Sequence, residues 1–80
     1  MNDENNSQLI CIAIFRYTYR ANLMKTLLQD AGINSWVNSS SVFRQIDSVK
    51  LMINSNNLSK AREIIQANRH EFTTEEMEEL

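Results

Sequence analysis

Apolar and polar positions recur along the chain with two different periods, and each change of period marks a new element. Seven consecutive apolar residues, LICIAIF at 9–15, are too few for a buried helix and predict a central strand covered on both faces. From Tyr17 to Ala31 the apolar positions recur every three or four residues. This spacing predicts an amphipathic helix, and Gly32 directly after it predicts a left-handed residue that closes the helix.

The second half of the chain repeats this change of period. Alternation in INSWV (33–37) and SVKLMI (48–53) predicts two strands, each with one buried face. LSKAREIIQAN (58–68) has apolar residues at helical spacing and predicts a second helix. In the order β-α-β-β-α, a right-handed crossover places the third strand between the first two and antiparallel to both. We therefore expect an α+β fold, specifically a ferredoxin-like (PII-like) βαββα two-layer sandwich with a three-stranded antiparallel or mixed sheet and two helices on one face.

These elements form one domain. We expect a disordered polar end at 1–8, a single ferredoxin-like domain at 9–68 and a polar, acidic C-terminal tail at 69–80. In the tail, Thr73 lies three residues before Glu76, which is the spacing of a capping box. Two alternatives stay open for this segment, a short third helix and a frayed end.

Net charge and glycine content disfavour several classes of function. The 80 residues carry a net charge of −2 and include one glycine and no proline. The acidic balance and the interleaved basic residues disfavour a nucleic-acid partner, and the lack of a glycine-rich segment disfavours a phosphate-binding loop. The first residues, MNDENNSQ, lack a signal-peptide pattern, and no apolar run approaches the roughly 20 residues needed to cross a bilayer. We expect a cytoplasmic protein without a membrane partner.

Residues with reactive side chains are few. Cys11 lies within the first apolar strand and is expected to be a small core residue. His70, the single histidine, ends the second predicted helix, where a histidine commonly interacts with terminal carbonyls. One cysteine and one histidine do not supply the usual zinc ligands, and no nucleophile has a neighbouring base. We therefore expect no enzymatic activity, no metal and no cofactor.

The sheet offers a first candidate site, because two helices cover only one of its faces. Alternation places Trp36, Lys50 and Met52 on the other face. An apolar patch around a tryptophan is typical of an interface, so we expect a homo-oligomer formed through this face or through the sheet edge left open by a missing outer strand. The alternatives are coverage by the C-terminal tail and a platform for a ligand.

The connection VNSSSVFRQIDS (37–48) is a second candidate, because binding residues concentrate in connections between rigid elements. We expect it to bind a protein or a small effector. The alternative is a mobile linker whose apolar residues fold back onto the core. The candidate residues are Ser39, Ser40, Ser41, Phe43, Arg44 and Gln45.

A third candidate lies at the start of the first helix, since helix N-termini favour anions. Arg16, Tyr17, Thr18 and Arg20 would there hold an amino acid or a nucleotide at a subunit interface, as in a small-molecule sensor. The alternative is that the two arginines are solvated. A further class, a structural assembly subunit, requires only the apolar sheet face.

The chain also resembles a known family, the small bacterial domain of unknown function 2007, whose members are described as prokaryotic signal-transducing proteins. The matching positions, spread over about residues 9 to 67, are Phe15, Ala21, Leu23, Lys25, Leu27-Leu28, Gly32-Ile33, Val49-Lys50-Leu51 and KAREII at 60–65. The resemblance implies a ferredoxin-like core related in shape to the PII nitrogen-signalling proteins and a non-enzymatic regulatory role. In PII-like proteins the connection between the second and third strands recognises the partner.

The chain departs from this family at three places. Tyr17-Thr18 stands where members usually have Asn/Asp-Pro, and Asp47-Ser48 stands where they often have Gly-Gly. Ser39-Ser40 replaces an acidic pair. Any binding role of that pair in the relatives is therefore not carried over to Ser39-Ser40.

Overall fold

The computed structural model describes residues 8–40 and 48–80. Within them the chain forms four strands and two α-helices, with short 3₁₀ turns at Ser55–Asn57 and Arg69–Glu71. The elements, in chain order, are β1 (Leu9–Phe15), α1 (Thr18–Asp30), β2 (Ser35–Ser40), β3 (Ser48–Asn54), α2 (Leu58–Ala67) and β4 (Met77–Glu79).

The strands form one antiparallel sheet in the order β2-β3-β1-β4. The predicted α+β fold is confirmed, and β3 lies between β1 and β2 as the crossover argument requires. The predicted count of three strands is wrong. A fourth strand, β4, pairs with the edge of β1 that was expected to stay open. It is only three residues long, which is too short to show a period in the sequence.

Both helices pack on the same face of the sheet. Alternate residues of the central strands point toward them, and the apolar stripes of α1 and α2 close the core from the other side. The fully buried side chains include Phe15, Ala21, Met24, Leu28, Val49, Leu51, Ile53, Ala61 and Ile65. The core is therefore two layers deep, sheet against helices.

A β-bulge interrupts the alternation of β1. Cys11 pairs with Met52 and Ala13 with Leu51, so Ile12 has no partner of its own in β3. Because of this extra residue, Ile12 and Ala13 are both buried, while Cys11 remains on the opposite face. The alternation of side chains between the two faces therefore shifts by one residue within LICIAIF. The sequence does not show this shift, because all seven residues are apolar.

Helix α1 ends as its glycine predicts. Gly32 has φ of +85°, and its N–H donates to the Gln29 carbonyl at 2.9 Å. The Ile33 N–H donates to the Leu28 carbonyl, also at 2.9 Å. These two bonds are a Schellman closure, which satisfies carbonyls that the end of a helix leaves without partners.

The C-terminal tail forms neither of the two expected structures. The capping box exists: the Glu76 N–H donates to Thr73 Oγ1 and the Thr73 N–H donates to Glu76 Oε1, each at 3.1 Å. It closes a single turn, after which the chain extends into β4 instead of continuing as a helix. An isolated short helix is marginal in water, whereas pairing with the β1 edge gives the tail's backbone hydrogen-bond partners. The tail therefore forms a strand.

Candidate functional site

The face of the sheet opposite the helices carries a defined set of side chains, here called the open face. Its residues are Leu9, Cys11, Ile14, Trp36, Asn38, Lys50, Met52, Asn54 and Glu78. Trp36 of β2 is opposite Met52 of β3, which is in turn opposite Cys11 of β1. The structure thus brings together Trp36, Lys50 and Met52, the three residues that alternation assigned to this face.

The next row of the open face crosses all four strands. Asn38 is opposite Lys50, Lys50 is opposite Ile14, and Ile14 is opposite Glu78. Sequence reasoning missed Glu78, because its position on this face depends on the pairing of β4 with β1. No signal in the tail specifies that pairing.

The apolar members of the open face remain accessible to solvent. Trp36 is 46% exposed and Leu9 is 55% exposed, while Cys11, Ile14 and Met52 are half-buried. Neither helix crosses this face, and the tail joins the edge of the sheet instead of lying across it. Strands β1, β2 and β3 therefore present a continuous apolar patch, centred on Met52, that the described part of the chain leaves uncovered.

Two opposite charges flank this patch. Lys50 and Glu78 are both exposed, and they lie on either side of Ile14 in one row. Two strand spacings separate their backbones, about 10 Å. Neither side chain forms an ion pair with another described residue.

A cleft adjoins the open face at its β4 side. It has a volume of about 240 Å³ and lies between the end of β1 and the turn that precedes β4. Its lining residues are Ile14, Phe15, Arg16, Thr74, Glu75, Glu76, Met77 and Glu78. Three carboxylates, one guanidinium and the apolar residues Ile14, Phe15 and Met77 therefore line it together. The carboxyl group of Glu76 is already engaged by Arg20, which leaves Glu75 and Glu78 exposed.

At the predicted anion site at the start of α1, Arg20 and Arg16 both contact the C-terminal tail. The Arg20 guanidinium lies over the Phe72 ring, its Nε is 3.4 Å from Glu76 Oε1, and its Nη2 donates to the Glu71 carbonyl. The Arg16 N–H donates to the Glu76 carbonyl at 2.8 Å. Arg20 thus binds the chain's own acidic tail.

The other two candidates at this helix are placed differently. Thr18 is the first residue of α1 and is exposed. Tyr17 precedes it without a side-chain capping bond and stacks on Tyr19, with ring centroids 5.7 Å apart. These aromatic rings face solvent and do not contribute to a pocket with the arginines.

The predicted loop site is only partly within the described residues. Ser39 and Ser40 belong to β2 and pair with Val49 and Ser48, so their assignment to the connection was wrong. Small polar residues can extend an edge strand when the neighbouring strand supplies the pairing. Ser41, Phe43, Arg44 and Gln45 lie outside the described residues.

A larger cavity of about 520 Å³ lies between α2 and the tail, and it shares Thr74, Met77 and Glu78 with the cleft. Its two arginines are occupied by the chain itself: Arg62 Nη2 donates to the Leu80 carbonyl at 3.2 Å, and Arg69 Nη1 is 3.4 Å from Glu79 Oε1. Both arginines of the cavity are therefore already engaged by the chain's own C-terminal residues.

The two side chains with reactive groups, Cys11 and His70, lie in different parts of the fold. Cys11 lies on the open face, where its Sγ is 3.5 Å from the Ala13 carbonyl. His70 is exposed beyond α2, with Nε2 3.2 Å from Glu71 Oε2. Among residues 8–40 and 48–80, no three histidine, cysteine or acidic residues come together as metal ligands. No helix in the same ranges is long and apolar enough to cross a membrane.

Comparison of the chain with protein-family models, with curated proteins and with solved structures gave no match. The resemblance to the signal-transducing family therefore stays a prediction, and the functional argument rests on the geometry of the chain itself.

Proposed function

We propose that this protein is a small non-enzymatic interaction module that assembles with a second copy of itself through the open face. One observation carries the proposal: Trp36 is 46% exposed at the margin of an uncovered patch that continues through Met52 and Cys11. Tryptophan is enriched at the centres of protein interfaces, where its burial dominates the binding energy.

The exposed area of this patch is large enough to favour association. A tryptophan buries on the order of 200 Å² when fully enclosed, so enclosing the remaining half of Trp36 contributes about 2–3 kcal/mol per copy before the entropy cost of association. Met52, Cys11, Ile14 and Leu9 add further apolar area. Monomeric proteins rarely expose a contiguous apolar patch of this kind without a use for it.

The topology supports a scaffold that presents this face as a rigid unit. The elements follow the order β-α-β-β-α-β, with β1 and β3 in the middle of the sheet and β2 and β4 at its edges. We assign this arrangement to the ferredoxin-like type. The resemblance of residues 9 to 67 to the signal-transducing family would make the assembly regulatory.

The two other candidate sites remain proposals of lower rank. The connection at 41–47 lies outside the described residues, so no observation favours it over the open face. The sensor hypothesis relies on a free Arg20, and this side chain contacts Phe72, Glu71 and Glu76. An anion at the start of α1 would therefore compete with the chain's own tail.

Sedimentation velocity over roughly three decades of protein concentration tests the proposal, because the mass of a self-associating protein depends on concentration. We expect a monomer–dimer transition for the wild type and a transition shifted to about tenfold higher concentration or more for Trp36→Ala. Tyr19→Ala is the matched control, since Tyr19 is 65% exposed on α1, away from the sheet. It should associate like the wild type.

Circular dichroism would first establish that each variant is folded. A wild type that is monomeric at every concentration would overturn the proposal. So would a Trp36→Ala variant whose association matches that of the wild type, because the contact would then lie elsewhere on the molecule.

A further inference from the structure

The open face contains charges whose placement specifies how two copies would face each other. Lys50 and Glu78 lie in the same row, one on β3 and the other on β4, with Ile14 of β1 between them. Both are exposed and neither has an ionic partner among the described residues. An exposed apolar patch with one free charge of each sign at opposite sides is complementary to itself.

We propose that Lys50 of each copy docks in the acidic cleft of the other copy, between Glu75 and Glu78 and above Ile14. This inference rests on the proposed function, since it assumes that the open face is the interface, and it adds the register and the recognition chemistry. The partner is a second copy of this chain.

A two-fold arrangement of two facing sheets supports this register. An axis that lies between the sheets and runs parallel to the strands, between β1 and β3, carries β3 of one copy over β1 of the other and β2 over β4. Lys50 of each copy then lies above Ile14 of its partner and beside the partner's Glu78, the contact occurs twice, and the strand that carries Trp36 lies within the overlap. The strands of the two sheets stay aligned, as in common sheet-on-sheet packing.

The same charges disfavour another arrangement. A two-fold axis perpendicular to the strands along this row would place Lys50 over Lys50 and Glu78 over Glu78. Like charges in a partly desolvated interface repel, so the arrangement of charges selects one of the two registers.

Because Glu76 is paired with Arg20, the cleft has two exposed carboxylates, Glu75 and Glu78, and one guanidinium, Arg16, and this excess of negative charge favours a lysine. Its volume of about 240 Å³ accommodates an extended side chain, and its lining includes the apolar residues Ile14 and Met77. A lysine places its aliphatic stem on apolar surface while its ammonium group contacts acceptors at the rim, here the exposed carboxylates of Glu75 and Glu78.

Charge reversal tests the register. Lys50→Glu and Glu78→Lys each place like charges at both contacts, so each variant alone should dimerise at least about tenfold more weakly than the wild type. Mixed together, the two variants regain opposite charges at both contacts. We expect a heterodimer that forms with close to wild-type affinity, detected by sedimentation with one variant carrying a fluorescent label.

Matched controls come from α2, on the opposite side of the molecule. Lys60 and Glu63 are exposed there, so Lys60→Glu and Glu63→Lys make the same changes of net charge away from the open face. Both control variants should dimerise like the wild type. Rising salt concentration should weaken the wild-type dimer and have less effect on a dimer that lacks this ionic contact.

Two results would overturn the inference: single variants that dimerise as tightly as the wild type, or variants that fail to form a heterodimer when mixed. The first result, combined with weakened association of Trp36→Ala, would leave the open face as the interface and exclude only this register. A wild type that does not self-associate would exclude both the register and the proposed function.

Discussion

The guanidinium carbon of Arg20 lies 4.5 Å from the centroid of the Phe72 ring, which joins the first helix to the C-terminal tail. Phe72 is itself buried and meets Phe15 edge to face, with ring centroids 5.7 Å apart. Through these contacts the tail becomes part of the domain: β1, α1 and the segment before β4 share one cluster. The position of β4, and with it the position of Glu78 on the open face, depends on this cluster.

Arg20→Met should loosen the tail more than the rest of the domain. The substitution keeps apolar contact with Phe72 but removes the cation–π contact, the Glu76 ion pair and the hydrogen bond to the Glu71 carbonyl. We expect the free energy of unfolding to fall by about 1–2 kcal/mol. Hydrogen exchange gives the local measurement: the Leu80 amide, which bonds to the Ile12 carbonyl, should lose more protection than amides of β3. Equal loss of protection at Leu80 and in β3 would contradict this account.

Substitution of either capping-box residue, Thr73 or Glu76, should destabilise the turn at 73–76. Thr73→Ala removes the hydroxyl that accepts the Glu76 N–H and should cost about 1 kcal/mol in urea unfolding. Glu76→Gln keeps an acceptor for the Thr73 N–H but loses the ionic contact with Arg20, so its cost should be smaller. A double-mutant cycle should give a coupling energy above zero, and additive effects would show that the two bonds act independently.

Gly32→Ala should destabilise the protein through the backbone alone. A Cβ at this position would meet no atom within 4 Å, so no steric clash follows, but φ of +85° is unfavourable for alanine. We expect a cost of about 1 kcal/mol, measured by thermal or urea unfolding. Gly32→Asn is the matched variant, since asparagine tolerates left-handed backbone, and it should cost less. Equal stability of all three proteins would contradict the Schellman closure.

Ser35→Ala is expected to stabilise the protein. Ser35 is 6% exposed at the start of β2, and its Oγ has no hydrogen-bond partner among the described residues. A buried hydroxyl without a partner carries a desolvation penalty, so its removal should raise the free energy of unfolding by up to about 1 kcal/mol. Ser39→Ala, at an exposed position of the same strand and on the same side, is the control and should change stability little. A destabilised Ser35→Ala protein would show that the hydroxyl has a favourable contact.

The sequence predicted much of the scaffold because its long elements have clear periods. The apolar run at 9–15, the helical spacing of 17–31 and the alternation of 48–53 each correspond closely to an observed element. Alternation also assigned Trp36, Lys50 and Met52 to one face, since a strand places every second side chain on the same side. These features are local, and local chemistry is sufficient to specify them.

Short or irregular elements have no clear hydrophobic period, so the sequence did not predict them. The bulge at Ile12 lies inside an unbroken apolar run, where a change of phase leaves no trace in the pattern. Ser39 and Ser40 appeared to begin a loop, but pairing with β3 extends the strand through them. Thr73 and Glu76 satisfy the spacing of a helix start, and the same two hydrogen bonds close a turn before β4.

The sequence by itself therefore determined the α+β order, the closure of α1 at Gly32 and the apolar character of the open face. Only the tertiary structure decided that the tail forms a fourth strand, and it thereby placed Glu78 in one row with Lys50. The physical reason is that β4 is too short to be stable alone. Its conformation follows from the unpaired edge of β1 and from the contact of Arg20 with Phe72. Both β1 and Arg20 lie more than fifty residues before β4 in the sequence, so no local pattern specifies the strand.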